Sequence, residues 1–323
     1  MAEKKPRQFL PQLLGLFAGS GCAALVYEIV WFQQLELVIG SSAISLGILL
    51  AVYMGGLCSG SLGLPRLVSG RRHPLRVYAA LEGGIGILGL LVYFGMPLVV
   101  RVYAAHAGHG LTGLIVRGSV GAICLLPPTV LMGATLPAVS RWVESTPRGI
   151  SWLGFFYGSN TAGAVLGCLA AGFYILRVHD AAAATWAAAG INATVAAGAL
   201  ILAALAPHRP PVRPEPEKRE RRPAGGGPGA WPAYAVIGLS GLCALGAEVV
   251  WTRLLSLMIG GTVYSFSIIL AVFLAGLAVG SGLGATLARR PGSPMAFLGA
   301  GQMLLTAGIA WTALIPDCRP APG

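Results

Sequence analysis

Residues 20–64 read SGCAALVYEIVWFQQLELVIGSSAISLGILLAVYMGGLCSGSLGL, and residues 240–284 read SGLCALGAEVVWTRLLSLMIGGTVYSFSIILAVFLAGLAVGSGLG. At a constant offset of 220, 20 of the 45 positions are identical. The matches include Glu28 with Glu248, Trp31 with Trp251, Gly40 with Gly260, Gly56 with Gly276 and Gly60 with Gly280. Leu, Val and Ala coincide by chance in apolar helices, but a matched acid three residues before a matched tryptophan does not. The repeat implies two related helical bundles, which constrains fold and function together.

The rest of the chain places those bundles in a membrane. Hydrophobic residues make up 55% of the 323 residues and charged residues 10%, and the mean hydropathy is +0.75. Soluble domains carry about 25% charged residues, so the chain reads as an integral membrane protein. The formal charge of +11 does not indicate nucleic-acid binding, because the basic residues lie in short segments between apolar runs, where they set topology. Met1–Gln8 is basic, but the apolar run after it is long enough to stay as a helix rather than be removed as a signal peptide. Six cysteines, at positions 22, 58, 124, 168, 243 and 318, are scattered without a CxxC pair, and five fall inside apolar runs. They read as small buried hydrophobes rather than metal ligands or disulfide partners.

About 20 apolar residues cross roughly 30 Å of hydrocarbon. Nine stretches qualify, near 10–31, 43–64, 75–99, 112–139, 151–176, 181–206, 232–252, 263–287 and 295–315. With the N-terminus inside, 17 of the 22 lysines and arginines fall in cytoplasmic segments, among them Lys4, Lys5, Arg71, Arg72, Arg141, Arg148, Arg289 and Arg290. That excess predicts an N-inside topology. Residues 207–230, PHRPPVRPEPEKRERRPAGGGPGA, carry too little apolar surface to fold and read as a flexible cytoplasmic linker. The expected organisation is a six-helix bundle over 1–206, the linker over 207–230, and a second unit over 231–323 with three spans. Six is even, so both units enter the membrane from the same side. The repeat is therefore parallel, as in the two halves of the major facilitator fold. A full copy of the first unit would hold about three more helices, so the second reads as truncated.

Few polar residues interrupt the spans. An ionised carboxylate in hydrocarbon costs roughly 2.5–3.5 kcal/mol on insertion scales, so Glu28 and Glu248 are candidates to bind a cation such as a polyamine or a proton. Depth favours a plainer reading. In a helix starting near residue 10, Glu28 lies about 27 Å along, near the outer surface, with Trp31 in the interfacial aromatic belt and Glu28 partly hydrated. Glu82 in the third span corresponds, at the same offset, to Gln302, which predicts a polar position with a shared hydrogen-bonding role on the cytoplasmic side. Arg117 enters the fourth span from outside and could pair with Glu28, although snorkelling to the interface is the preferred reading. Asn160, within Tyr157–Gly163, could hydrogen-bond across helices for about 1 kcal/mol or less. Pro127 and Pro128 are expected to break the fourth span.

Other polar groups carry less. His106, His109, His179 and Asp180 fall in expected outer loops that nothing ties together, so a zinc site is not expected. The glycine run at 225–229 has no strand before it and reads as linker rather than phosphate loop. The Asn192-Ala-Thr194 sequon lies inside a span and is not an acceptor for sugar.

Gly60–Arg72, GSLGLPRLVSGRR, resembles the glycine-and-arginine loop of major facilitator transporters, without its usual acid. The corresponding stretch Gly280–Arg290 keeps the small residues and terminal arginines. Close helix approach and topology-setting charge explain both. Together with the doubled SGxxALxxExVW pattern, GATLPAVSRWV at 133–143 and YGSNTAGAVLGCLAAGFYIL at 157–176, the chain resembles the membrane domain of bacterial spermidine synthase-like proteins. In these proteins a polyamine aminopropyltransferase is joined to a major-facilitator-like region.

That resemblance implies a multi-pass protein of the bacterial cytoplasmic (inner) membrane. Its expected partners are the bilayer, a soluble aminopropyltransferase domain and a polyamine. In the family, the soluble domain moves an aminopropyl group from decarboxylated S-adenosylmethionine to a diamine. No strand–glycine loop–helix segment for that chemistry occurs in this sequence, so no catalytic residue and no cofactor is assigned to it. The expected function is the membrane module of such an enzyme. The alternative is a transporter-like bundle for a small cationic metabolite, in which Glu28, Glu248, Glu82, Gln302, Asn160 and Arg117 would be the binding candidates. A structural assembly partner is the third reading.

Overall fold

A computed structural model describes residues 9–40, 42–68, 72–106, 110–143, 149–206, 231–260, 262–287 and 294–314, and these form helices with no strand among them. Lipid offers no partner for backbone N–H and C=O groups, so apolar chain crossing it closes its hydrogen bonds within each helix. The first unit contains α1 (Leu10–Ile39), α2 (Ala43–Leu67), α3 (Pro74–His106), α4 (Gly110–Val143), α5 (Gly149–Leu169) and α6 (Ala181–Leu205). α5 runs on through a wide π turn, Ala170–Ile175, to a last turn at Leu176–Val178. The second unit contains α7 (Trp231–Ile259), α8 (Val263–Leu287) and α9 (Pro294–Leu314). Eight of these helices are long and apolar enough to cross a bilayer, and α9 contributes a shorter apolar stretch, Ala296–Trp311. The chain is a multi-pass membrane protein. The linker over 207–230, His109, Cys318 and the side chain of His106 lie outside the described residues.

Two expectations about individual helices are corrected. α1 does not stop near residue 31. It continues to Ile39, because Gln33, Gln34 and Glu36 remain helical. Pro127, Pro128 and Pro137 all lie inside a continuous α4. The Thr129 hydroxyl donates to the carbonyls of Leu125 at 2.6 Å and Leu126 at 3.2 Å, holding the turn past the proline pair.

α1 is the hub of the first unit. Every side chain from Leu25 to Phe32 is buried, the signature of a helix packed on all sides. It lies against α5 and α6, while α2 pairs with α4, and α3 with α4 and α6. Small residues set the spacing. A Cβ on Gly163 or Gly167 would run into the α1 backbone at Ala18 or Cys22, and one on Gly60 into the Val130 carbonyl of α4. These are the close approaches that drive helix association in lipid, where no hydrophobic force acts between helices.

Aromatic rings fill two layers. Phe17 meets Tyr78 at 5.7 Å and Phe156 at 5.8 Å in the lower layer, and Tyr27 stacks on Trp31 at 5.0 Å in the upper one. The second unit joins the first mainly through α8 on α5. There Gly172, in the π turn, faces Ser267, and the Cys168 thiol donates to the Ser267 carbonyl at 3.1 Å.

Candidate functional site

The repeat folds into the same local turn twice. Between α1 and α2 the chain reverses at Gly40 with φ 89°, and between α7 and α8 at Gly260 with φ 101°. Glycine alone adopts this region without a Cβ penalty. Ser42 then caps α2, its Oγ accepting from the Ser45 N–H at 3.1 Å, and Thr262 caps α8 by accepting from the Ser265 N–H at 3.3 Å.

These two turns place equivalent surfaces around one cavity of about 390 Å³, within the range of about 300–1,000 Å³ typical of small-molecule sites. Its walls pair across the repeat: Phe32 with Thr252, Gln33 with Arg253, Glu36 with Ser256, Ser42 with Thr262, and Leu46 with Phe266. Phe32 and Phe266 meet at 6.2 Å between ring centres. Beneath it, Glu28 and Glu248 line a common space of about 10 Å³, about the room one water needs. Phe32, Leu46, Thr252 and Phe266 border both spaces, so the acids sit at the foot of the cavity.

The surroundings of the acids are apolar and low in donors. Glu28 is only 4% exposed, and the Tyr53 hydroxyl beside it donates to the Met132 sulfur at 3.9 Å. Glu248 is half-buried, and its Oε2 is buried without a hydrogen-bond partner. Among the described residues no ion pair joins either acid to a lysine, arginine or histidine. Around the two spaces, Glu28, Glu36 and Glu248 face a single arginine, Arg253. A carboxylate that ionises in such a low-dielectric cleft attracts a cation strongly, since Coulomb attraction there is far less screened than in water.

The plain reading of Glu28 is therefore corrected. Trp31 is 0% exposed and stacked on Tyr27, not set in an interfacial belt. The eight residues by which α1 outruns its expected end add about 12 Å of helix beyond Trp31, which puts Glu28 inside the bundle. Arg117 lies half-buried on α4 and forms no ion pair with Glu28.

The other candidates lie elsewhere. Asn160 packs its backbone against Gly21, and the cross-helix bond of that stretch is made by Ser159, whose Oγ donates to the Leu14 carbonyl at 2.7 Å. Glu82 on α3 accepts from Ser20 Oγ at 2.5 Å and from Asn192 Nδ2 at 2.7 Å. Gln302 on α9 donates through Nε2 to Ser240 Oγ at 3.2 Å. Ser240 and Gln302 stand 220 positions after Ser20 and Glu82, so both units tie the same two helix positions together. Of the six candidates, Glu28 and Glu248 alone line the small space at the foot of the shared cavity.

Residues that sequence reasoning passed over complete this picture. Tyr53 and Thr252 border the acids, and Ser20 and Asn192 hold Glu82. Asn192 had a visible signal, an amide alone in the alanine-rich α6, which its place in a sequon obscured. Asp180 is the N-cap of α6, its Oδ1 accepting from the Ala183 N–H at 2.8 Å. No protein-family model, curated protein or solved structure matches this chain.

Proposed function

We propose that the chain is a transporter-like membrane module that takes a small organic cation between its two units, held by Glu28 and Glu248. One observation carries the reading. Two acids at equivalent positions of an internal repeat line one space, under a cavity walled by the same repeat, with no basic partner among the described residues. A ligand with two amines would give each carboxylate a charge-assisted hydrogen bond. The phenyl rings of Phe32 and Phe266 would enclose the alkyl chain between those amines. The resemblance to spermidine synthase-like proteins makes a diamine or polyamine the ligand to try first, and makes an aminopropyltransferase the expected companion of the module. In this reading the two units are the halves of a major-facilitator-like 6+6 arrangement in the inner membrane. With the N-terminus inside, the cavity opens to the outer face, since it lies at the C-terminal ends of α1 and α7.

Uptake of labelled putrescine and spermidine into proteoliposomes tests this. Glu28→Gln and Glu248→Gln keep shape and remove charge. Each should lower uptake at least tenfold, because losing one partner of a desolvated charge pair costs about 2–5 kcal/mol and about 1.4 kcal/mol is tenfold. No uptake by the parent protein, or normal uptake by both variants, would end the proposal.

A further inference from the structure

The first unit contains a second buried acid, remote in its bonding from the shared cavity. Glu82 is 0% exposed. Both its oxygens already receive donors, from Ser20 on α1 and from Asn192 on α6. The titratable groups that act on it are Tyr78, on its own helix, and Tyr27 from α1. α6 carries no ionisable side chain, and Arg117, Cys124 and Arg141 of α4 exert no charge interaction on it. No cation among the described residues balances it.

Two further atoms in this region are unsatisfied. Asn192 is 1% exposed, and its Oδ1 has no partner. Tyr27 is 0% exposed, and its hydroxyl has none either. Tyr27 stands seven residues after Ser20, two turns up the same face of α1, so it lies over the cluster. Buried polar atoms in lipid are expensive to leave unpaired, and here an acceptor is left over beside an acid.

We propose that Glu82 is an exchangeable proton site, with Asn192 as its switching partner. The structure has Asn192 Nδ2–H donating to a Glu82 oxygen, the arrangement that suits the charged carboxylate. Uptake of one proton from water turns Glu82 into a carboxylic acid whose O–H needs an acceptor. A half-turn of the Asn192 amide presents Oδ1, the atom now unpaired, to receive it. The bond that forms is O–H on Glu82, and no other reactant is consumed. A metal cation fits less well, because both carboxylate oxygens are engaged by N–H and O–H groups that would have to leave. The second unit is the natural control. There an amide, Gln302, occupies the equivalent place and still bonds the equivalent serine, so the bond needs no ionisable group. The acid of the first unit supplies something the bond alone does not require. This assignment stands on α1, α3 and α6 alone and is independent of ligand binding at Glu28 and Glu248.

Infrared difference spectra of the full chain in lipid, recorded across a pH titration in light and heavy water, test it. The expected result is a buried carboxylic-acid band that titrates, shifts on deuteration, disappears in Glu82→Gln and persists in the Glu28→Gln, Glu248→Gln double variant. Glu82→Gln should fold, as Gln302 shows for its twin position. If it does not, Asn192→Ala serves instead, and should move the frequency and midpoint of the band while leaving it present. A parent protein with no titrating acid band, or a band unchanged in both Glu82→Gln and Asn192→Ala, overturns the proposal.

Discussion

α2 and α8 carry the same motif and bury opposite parts of it. In α2, Gly56 and Gly60 are pressed against Thr129 and Val130 of α4, while Gly47 meets nothing within 4 Å and Ala51 is exposed. In α8 the equivalent Gly276 and Gly280 meet nothing within 4 Å. There the equivalents of Gly47 and Ala51, which are Ser267 and Ala271, are buried against the first unit. A glycine in a membrane helix is thus an opportunity for close approach, not a contact in itself. The neighbour decides whether it is used.

The largest expected contrast is between Gly60→Val and Gly280→Val. At Gly60 the new side chain must displace the α4 backbone, an overpacking that costs about 1–3 kcal/mol or more. At Gly280 it enters open space, and surface changes of that kind stay within about 0.5 kcal/mol. Thermal unfolding in detergent of the two variants side by side reads the difference. Equal damage would mean that the α8 glycines are covered as tightly as those of α2.

The shared serine bond gives a smaller contrast. Glu82→Ala leaves the Ser20 and Asn192 donors buried and unpaired, at about 1–3 kcal/mol for each orphaned group. Gln302→Ala removes a single bond at a half-buried position, a net loss of about 0.5–1.5 kcal/mol. The Glu82 variant should therefore unfold at clearly lower temperature than its twin. Matching shifts would show that the donors of the first unit find other partners.

The smallest effect is expected at the seam. The Ser267 hydroxyl is buried, has no hydrogen-bond partner and presses on Gly172. Ser267→Ala should leave stability unchanged or raise it by up to about 1 kcal/mol, by removing an unsatisfied group. Gly47→Ala should gain a similar amount through helix propensity alone. A marked loss in Ser267→Ala would reveal a partner for that hydroxyl when the units move.

Much of this was legible in the residues. The 220-residue offset marks Glu28 and Glu248 as a pair, and hydropathy marks the helices, because backbone satisfaction in lipid leaves little choice of structure. What periodicity does not carry is the length of a helix past its apolar stretch. Gln33, Gln34 and Glu36 look like the start of a loop, yet they stay helical, and Gln33 and Glu36 line a cavity that only the folded second unit creates. The prolines at 127 and 128 misled for a related reason. Thr129 reinforces the turn they weaken, and that help comes from a side chain whose rotamer no pattern records. Asn192 shows the same limit from the other side, since its partner is 110 residues away in α3.

The wide turn at Ala170–Ile175 holds one residue more than an α-helix needs over the same rise. Were that surplus passed along α5, each residue after Ile175 would swing by about 100° and retreat by one helical step. Arg177 and the Asp180 cap would then point elsewhere. The joint between the two units is thus built where α5 departs from α-helical register.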